Sequence, residues 1–188
     1  MNSQKLALGI DVGGTTLKWG IVSSDGKVRT FHQTKTVRSK SELTTLLRKI
    51  QKELRRKNVA IEGIGIGMPG MIDFQKGKMR YLPHLPNLKH FSLSTTVEQI
   101  FQLPSYLDYD AHCALFSNLY FTSRYKNKTV ILLTLGTGTG SAIAIHGRLF
   151  SGVPSSVAGL GEMIINPDGE ECTCGRRGCL NAYTGARG

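Results

Sequence analysis

An apolar run that ends in a carboxylate and two glycines lies near the start of this chain and limits what it can fold into. The run Leu6–Ile10 leads directly into the segment Asp11–Thr16, which has the sequence Asp-Val-Gly-Gly-Thr-Thr. The run predicts a strand, and the glycines let backbone N–H groups approach an anion closely. We expect Asp11 to face a magnesium ion or its water shell. The segment therefore predicts a phosphate-binding turn, and an ordinary β-hairpin with strands at 17–22 and 28–31 fits the same pattern.

A second glycine-rich segment supports the phosphate interpretation. Leu135-Gly136-Thr137-Gly138 follows a strand-like run at 130–133, and residues 141–145 are small or β-branched enough to form another strand. Both segments are predicted to be a strand, a glycine turn and a strand. In a Walker loop or a dinucleotide fold, by contrast, the glycine-rich loop opens a helix. The pattern predicts two hairpins whose bends clamp one polyphosphate.

The composition narrows the class of protein. The chain has 188 residues, of which 40% are hydrophobic, and it contains no apolar run long enough to span a bilayer. Its polar start lacks the apolar core of an export peptide. Three of the four cysteines have the spacing Cys-x-Cys-x4-Cys, which suits metal ligation better than a disulfide framework. We therefore expect a cytoplasmic protein with no membrane partner.

The formal net charge of +11 raises the question of nucleic-acid binding. Six basic residues concentrate between Arg48 and Lys57, where leucines and an isoleucine recur at helical spacing. Ser39 and Glu42 form a plausible capping box ahead of this helix. The basic cluster is therefore interpreted as the solvated face of an amphipathic helix, and no nucleic-acid partner is predicted.

Asp110 is the candidate catalytic residue. A short predicted strand at 106–109 delivers it, and a predicted helix at 111–124 follows. Further upstream, a strand over 59–66 is expected to end in the loop Gly67–Gly70, and a helix is expected over 94–102. A carboxylate at a strand end can accept the proton of a hydroxyl that attacks the terminal phosphate of ATP. A helix N-cap is the alternative role for Asp110, since aspartate is a favoured cap.

Several motifs together resemble the ROK family, a group of repressors, open reading frames and sugar kinases that includes bacterial glucokinases. The resemblance covers nearly the whole chain, and its most specific part is the cysteine-rich segment. The motifs are Asp11–Thr15, Gly67–Gly70 with Asp73, Pro86–Leu88, Asp110-Ala111, Leu135–Gly138 and Asn166–Leu180.

The resemblance implies a fold and an organisation. The fold class is α/β, an actin-like ATPase or ribonuclease H-like two-domain fold. An N-terminal ATPase domain is expected over 1–109, and the start of the C-terminal ATPase domain, with the cysteine motif, over 110–188. Family kinases continue well past that motif, so we expect a truncated second domain, and a homodimer as the assembly.

The resemblance also implies an activity. It is ATP-dependent phosphorylation of a hexose or hexose derivative, with Mg²⁺ as cofactor, a small sugar as partner and Asp110 as general base. The implied phosphate-binding residues are Asp11, Gly13, Gly14, Thr15, Thr16, Gly136, Thr137 and Gly138. The implied substrate-binding residues are Gly67, Gly70, Asn87, Tyr109, Asp110, Glu162 and Asn181.

The cysteines Cys172, Cys174 and Cys179 can supply three thiolates to a structural Zn²⁺ site, although three free thiols are the alternative. In the family the fourth ligand is a histidine. Aligned without a gap, its position holds Glu162 and the preceding family glutamate becomes Gly159; with a gap, Glu162 is that glutamate and the histidine is missing. The fourth ligand is then Glu162, another group or water.

The resemblance also marks four positions at which family kinases hydrogen-bond sugar hydroxyls, and this chain departs from the family there. Tyr109 stands where the family has asparagine, and Asn181 where it has the glutamate that follows the last cysteine and leucine. The family glutamate and histidine described above are matched by Gly159 or Glu162 and by Glu162. A hydroxyl-binding site loses about 1–3 kcal/mol for each buried partner left unpaired. A non-catalytic sugar or nucleotide sensor, or a truncated remnant, is therefore the alternative to a kinase.

Overall fold

The computed structural model describes residues 4–73, 77–82, 85–150 and 159–186. The chain forms two compact units, Met1–Asp110 and Ala111–Gly188, here called the N-terminal and C-terminal units. Within the described ranges, no helix is both long and apolar enough to cross a bilayer.

A mixed sheet of five strands organises the described part of the N-terminal unit, in the order β3-β2-β1-β4-β7. β1 is antiparallel to β2 and parallel to β4, which is in turn parallel to β7. A separate hairpin pairs β5 with β6. The strands are β1 Leu6–Val12, β2 Thr16–Ser23, β3 Val28–Lys35, β4 Gly63–Met68, β5 Met71–Asp73, β6 Lys78–Tyr81 and β7 Ser105–Tyr109.

Helix α1, Lys40–Arg56, confirms the predicted amphipathic segment and its cap. The Ser39 side chain accepts a hydrogen bond from the Glu42 N–H, at 3.2 Å, and the Glu42 carboxylate accepts one from the Arg38 N–H, at 2.7 Å. The leucines and the isoleucine of one face are buried, whereas all six basic side chains are exposed. The exposed residues are Arg48, Lys49, Lys52, Arg55, Arg56 and Lys57.

The rest of the N-terminal unit connects these strands. A 3-10 helix lies at Pro86–Leu88, and α2 spans Leu93–Phe101. The predicted strand at 59–66 begins later than expected, at Gly63, because the Val59 N–H closes the end of α1 by donating to the Leu54 carbonyl, at 3.0 Å.

The C-terminal unit is built around the sheet β10-β9-β8. Helix α3, Asp110–Phe121, begins at the last residue of the N-terminal unit and packs against this sheet through Ala111 and Leu115, which contact buried alanines of β9. It ends before the predicted Arg124 because the Thr122 hydroxyl accepts the Arg124 N–H, at 3.1 Å. The other elements are β8 Val130–Leu135, β9 Thr139–Ile145, β10 Arg148–Phe150, a 3-10 helix Leu160–Glu162 and α4 Leu180–Thr184.

Candidate functional site

The carboxyl ends of three parallel strands bring candidate residues to one edge of the N-terminal sheet. Asp11 on β1 pairs in register with Gly67 on β4, which pairs with Asp108 on β7. Asp110 follows two residues later. Neighbouring strands lie about 4.8 Å apart, so β1 and β7 are separated by about 10 Å. In open α/β sheets this edge is where ligands bind.

The first glycine turn joins β1 to β2 and is held from outside the hairpin. The Gly13 N–H donates to the Thr16 carbonyl, at 2.9 Å, and a Cβ at Gly13 would lie only 2.8 Å from that carbonyl oxygen. Thr36, just after β3, donates its hydroxyl to the Gly13 carbonyl at 2.7 Å and its N–H to the Thr15 carbonyl at 3.0 Å. Glycine is therefore required at position 13, and Gly14 and Thr15 are presented by a braced turn.

Lys18 places a cationic side chain beside Asp11, which the sequence analysis did not predict. Lys18 lies directly opposite Asp11 in the β1–β2 register, and its Nζ is 3.5 Å from Asp11 Oδ2. Both side chains are about half exposed, at 43% and 47% of their surface. The signal was the hairpin itself, because a turn centred between Gly14 and Thr15 sets position 18 across from position 11.

The end of β4 and the turn after it contribute two glycines to the same edge, because β4 continues to Met68, into the predicted loop Gly67–Gly70. Gly67 is buried at the end of β4, and Gly70 has a φ of 90°, a conformation that disfavours any side chain. Asn87 is exposed, and its amide donates to the Arg38 carbonyl at 3.1 Å. The Asn87 side chain thus braces the segment between β3 and α1.

The end of β7 places two neighbouring residues differently. Asp110 is half-buried and is the first residue of α3, so the helix begins one residue before the predicted position 111. Tyr109 is 2% exposed, and its hydroxyl accepts a hydrogen bond from the Ile72 N–H at 3.3 Å. Burial raises the pKa of the Tyr109 phenol.

The second glycine turn joins β8 to β9 in the C-terminal unit and rests against α4. The Gly136 N–H donates to the Gly138 carbonyl at 3.0 Å, and the Ala186 N–H donates to the Gly136 carbonyl at 2.8 Å. The Thr139 N–H donates to Asn181 Oδ1 at 2.7 Å, which closes the end of the turn. The turn is therefore shaped by the helix that follows the cysteines.

The three cysteines converge as their spacing predicts. The Sγ atoms of Cys172, Cys174 and Cys179 all lie within 4.8 Å of one another, with Cys174 and Cys179 3.5 Å apart. Zn–S bonds of 2.3 Å in a tetrahedral site require sulfurs about 3.8 Å apart, so the arrangement fits zinc. All four cysteines are free thiols. The cysteine cluster is therefore a candidate closed metal site.

The surroundings of the cysteine cluster shift the pKa values of Cys174 and Cys179 in opposite directions. The backbone N–H of Arg176 is the largest influence that lowers the pKa of Cys174, to about 7, whereas burial raises the pKa of Cys179 to about 11. The Arg176 guanidinium lies 3.6 Å from the Glu162 carboxylate, whose side chain is 59% exposed. Among the residues that the structure describes, the candidate metal group contains the cysteines and not Glu162.

Comparison with known proteins identifies the family. The ROK family model matches residues 7–188. The chain belongs to the ROK family. It is 32% identical over 183 residues to a glucokinase of Thermotoga maritima, covering 95% of this chain and 57% of that protein. It is also 32% identical to an N-acetylmannosamine kinase of Escherichia coli, covering 96% of this chain and 62% of that protein.

A solved ROK structure agrees with this assignment. The ROK family glucokinase from Streptomyces griseus in complex with glucose and AMPPNP superposes with a TM-score of 0.81 at 28% identity, covering 97% of this chain and 58% of that chain. The predicted actin-like ATPase fold is thereby confirmed. The chain spans a little under two thirds of the length of these ROK relatives.

Within this ROK chain, two residues predicted to contact sugar make other contacts. Tyr109 is buried in the N-terminal unit with its hydroxyl on Ile72, and Asn181 has its amide oxygen on Thr139. Glu162 ends the 3-10 helix, whose Leu160 N–H donates to the Ser141 hydroxyl at 3.1 Å. Neighbours distant in sequence decide these contacts, which is why the motif alone did not indicate them.

Proposed function

We propose that this ROK chain is part of an ATP-dependent sugar kinase that phosphorylates a hexose or hexose derivative. The carrying observation is that Asp11, with its glycine turn, and Asp110 lie at the carboxyl edge of one set of parallel strands. Phosphoryl transfer depends mainly on positioning and electrostatics, and it needs a phosphate-binding backbone and a base for the hydroxyl. Relatives that include a glucokinase and an N-acetylmannosamine kinase support the same class.

The proposed roles follow from these positions. Asp110 accepts the proton of the sugar hydroxyl while that oxygen bonds to the terminal phosphorus of ATP and the bond to ADP breaks. Gly13, Gly14, Thr15 and Thr16 offer backbone and hydroxyl donors to phosphate, as do Gly136, Thr137 and Gly138 in the other unit. Asp11 would hold Mg²⁺ directly or through water, since its carboxylate is half exposed and Mg²⁺ prefers oxygen ligands.

We further propose that Cys172, Cys174 and Cys179 hold a structural Zn²⁺ that fixes the loop before α4. Mutual sulfur distances within 4.8 Å support this. The fourth ligand is proposed to be water or a group other than Glu162, because among the described residues the group of ligand atoms within 4.8 Å of one another contains the three cysteines and not Glu162. The proposal for the whole protein also includes an N-terminal ATPase domain over 1–109 and the start of a C-terminal ATPase domain over 110–188. It includes a homodimer and no nucleic-acid partner.

The choice of sugar depends on the proposed substrate contacts, which are Gly67, Gly70, Asn87, Tyr109, Asp110, Glu162 and Asn181. The side chains of Asn87, Tyr109 and Asn181 each also make a hydrogen bond within their own unit. Because Tyr109 and Asn181 replace an asparagine and a glutamate of the family kinases, we expect hydroxyl recognition that differs from theirs. The same observation favours the second candidate, a ROK sensor that binds sugar or nucleotide without turnover.

One experiment separates these functions. ADP release from Mg-ATP is measured with glucose, mannose, fructose, N-acetylated hexosamines and β-glucosides, for the native chain and for Asp110→Asn. A kinase requires turnover with one sugar and a loss of about 10²- to 10⁴-fold in kcat in the variant. No turnover from folded protein that still binds AMPPNP would favour the sensor.

The matched control is Asp25→Asn. Asp25 lies in the β2–β3 turn at the opposite end of the sheet, where the neighbouring Ser24 N–H donates to the Lys5 carbonyl just before β1. This variant removes the same charge and should keep kcat within about twofold of the native value, as expected for a surface change away from the site. An equal loss in both variants would contradict the role of Asp110.

A further inference from the structure

The amide of Asn181 makes contacts on two sides. Its Oδ1 accepts the Thr139 N–H at 2.7 Å, and its Nδ2 lies 3.9 Å from Cys172 Sγ. A backbone N–H only donates, so Thr139 fixes which end of the amide carries the oxygen, and the NH₂ group must then face the sulfur. One rigid side chain therefore joins the glycine turn to the cysteine cluster.

Helix α4 and the residues just after it make further contacts with the same turn. The hydroxyls of Thr139 and Thr184 are 2.6 Å apart, and the N–H of Ala186, two residues after α4, donates to the Gly136 carbonyl at 2.8 Å. A Cβ at Gly138 would lie 3.2 Å from Asn181 Oδ1, so the turn and the amide are already in close contact. Cys179, a cluster member, is the N-cap residue of α4. The cluster is therefore adjacent in sequence to the helix that contacts the turn.

We infer that Asn181 is a positioning residue that couples the cysteine cluster to the glycine turn Gly136–Gly138, so that zinc binding sets the backbone geometry of the turn. A zinc-bound thiolate is a stronger hydrogen-bond acceptor than a thiol, which strengthens the contact with Nδ2 when the cluster is filled. A glutamate at this position cannot donate to sulfur. The inference rests on the proposed zinc site, and it does not depend on the proposed kinase activity or nucleotide site.

The test follows the Thr139 amide by hydrogen exchange in EDTA-treated protein with and without added Zn²⁺. In the native chain, zinc should raise the protection of this amide about tenfold, within the range typical of coupled sites. Asn181→Ala removes both contacts, so protection should be low in both states. Asn181→Asp keeps the acceptor and loses the donor, so protection should no longer depend on zinc.

Zinc affinity gives a second readout by reciprocity. Losing an outer-shell donor typically weakens metal binding 10- to 100-fold, and we expect at least a tenfold loss for Asn181→Ala. The matched control is Tyr183→Phe, on the same helix. Its hydroxyl accepts the Glu170 N–H at 3.1 Å and, within the described part of the chain, makes no hydrogen bond to the turn. Its zinc-dependent protection at Thr139 should equal that of the native chain.

The outcomes separate the two proposals. Equal Thr139 protection with and without zinc in the native chain, or no zinc binding at all, would overturn the coupling. Zinc-dependent protection in the native chain that persists in folded Asn181→Asp would overturn the role of Asn181. Zinc-dependent protection that disappears in Asn181→Asp, in a chain that binds no AMPPNP, would support the coupling while rejecting the nucleotide site.

Discussion

The two glycine turns have similar sequences and different supports. The turn at Gly13 is held by Thr36, which follows the edge strand of its own sheet, and it carries the ion pair of Asp11 and Lys18. The turn at Gly136 is held by neutral groups of α4, a helix that begins at a cysteine. Similar glycine motifs thus lie beside an ion pair in one unit and beside the helix that follows the cysteine cluster in the other.

This difference predicts which perturbations change the structure of each turn. The first turn depends on strand pairing and on the hydrogen bonds from Thr36, so its structure should not depend on whether zinc occupies the cysteine cluster. The second turn depends on the position of α4, so its structure should change when zinc binds to the cysteine cluster.

The largest effect is expected from removing the zinc site. Ligand binding to the folded state stabilises it by about 2.7 kcal/mol when free zinc is 100 times its Kd, so Cys179→Ser should remove a gain of this order. Urea unfolding with and without Zn²⁺ measures the change.

Cys113→Ser is the control for this change, because Cys113 is an exposed cysteine of α3 outside the cluster. It should keep the zinc-dependent gain. Hydrogen exchange around Gly13 should be the same with and without zinc in all variants. A zinc response at Gly13 equal to that at Thr139 would contradict the contrast between the turns.

The next largest effect is expected from adding a methyl group to each turn, and the loss of unfolding free energy is compared between the two turns. Gly13→Ala forces its Cβ to 2.8 Å from a backbone carbonyl oxygen and should cost about 1–3 kcal/mol of unfolding free energy. Gly138→Ala meets a side-chain oxygen at 3.2 Å and should cost less, since a side chain yields more readily than backbone. Gly65→Ala, on β4, meets nothing within 4 Å and serves as the control. Chemical denaturation that reverses the order of Gly13 and Gly138 would show that the second turn is the stiffer one.

The smallest effect is expected from the ion pair at the first turn. Lys18→Met removes the partner of Asp11, and a pair this exposed contributes at most about 1 kcal/mol. Lys5→Met, which breaks the exposed pair between Lys5 and Glu62, is the matched change away from the glycine turn. Urea midpoints for both variants should agree closely with the native chain. A loss of several kcal/mol in Lys18→Met alone would mean that the pair is a main support of the turn.

Local pattern was sufficient for much of the fold. Helix α1 and its Ser39 cap follow from apolar spacing and one hydroxyl, and both glycine hairpins follow from strand-like runs that flank small residues. Asp110 at a strand-to-helix junction was predicted the same way. Where the chain departed from prediction, a single backbone contact decided it, as when the Val59 N–H closed α1 and delayed β4.

In the candidate site, too, some features follow from the local sequence and others only from tertiary contacts. The sequence by itself determined the candidate residues, which are the two carboxylates, the glycine turns and the three cysteines. It also determined the convergence of Cys172, Cys174 and Cys179, because their short spacing limits how far apart the thiols can lie. Only the tertiary structure decided how Tyr109 and Asn181 are used. Their hydrogen-bond partners, Ile72 and Thr139, lie 37 and 42 residues away, and local propensity carries no information about contacts over such separations.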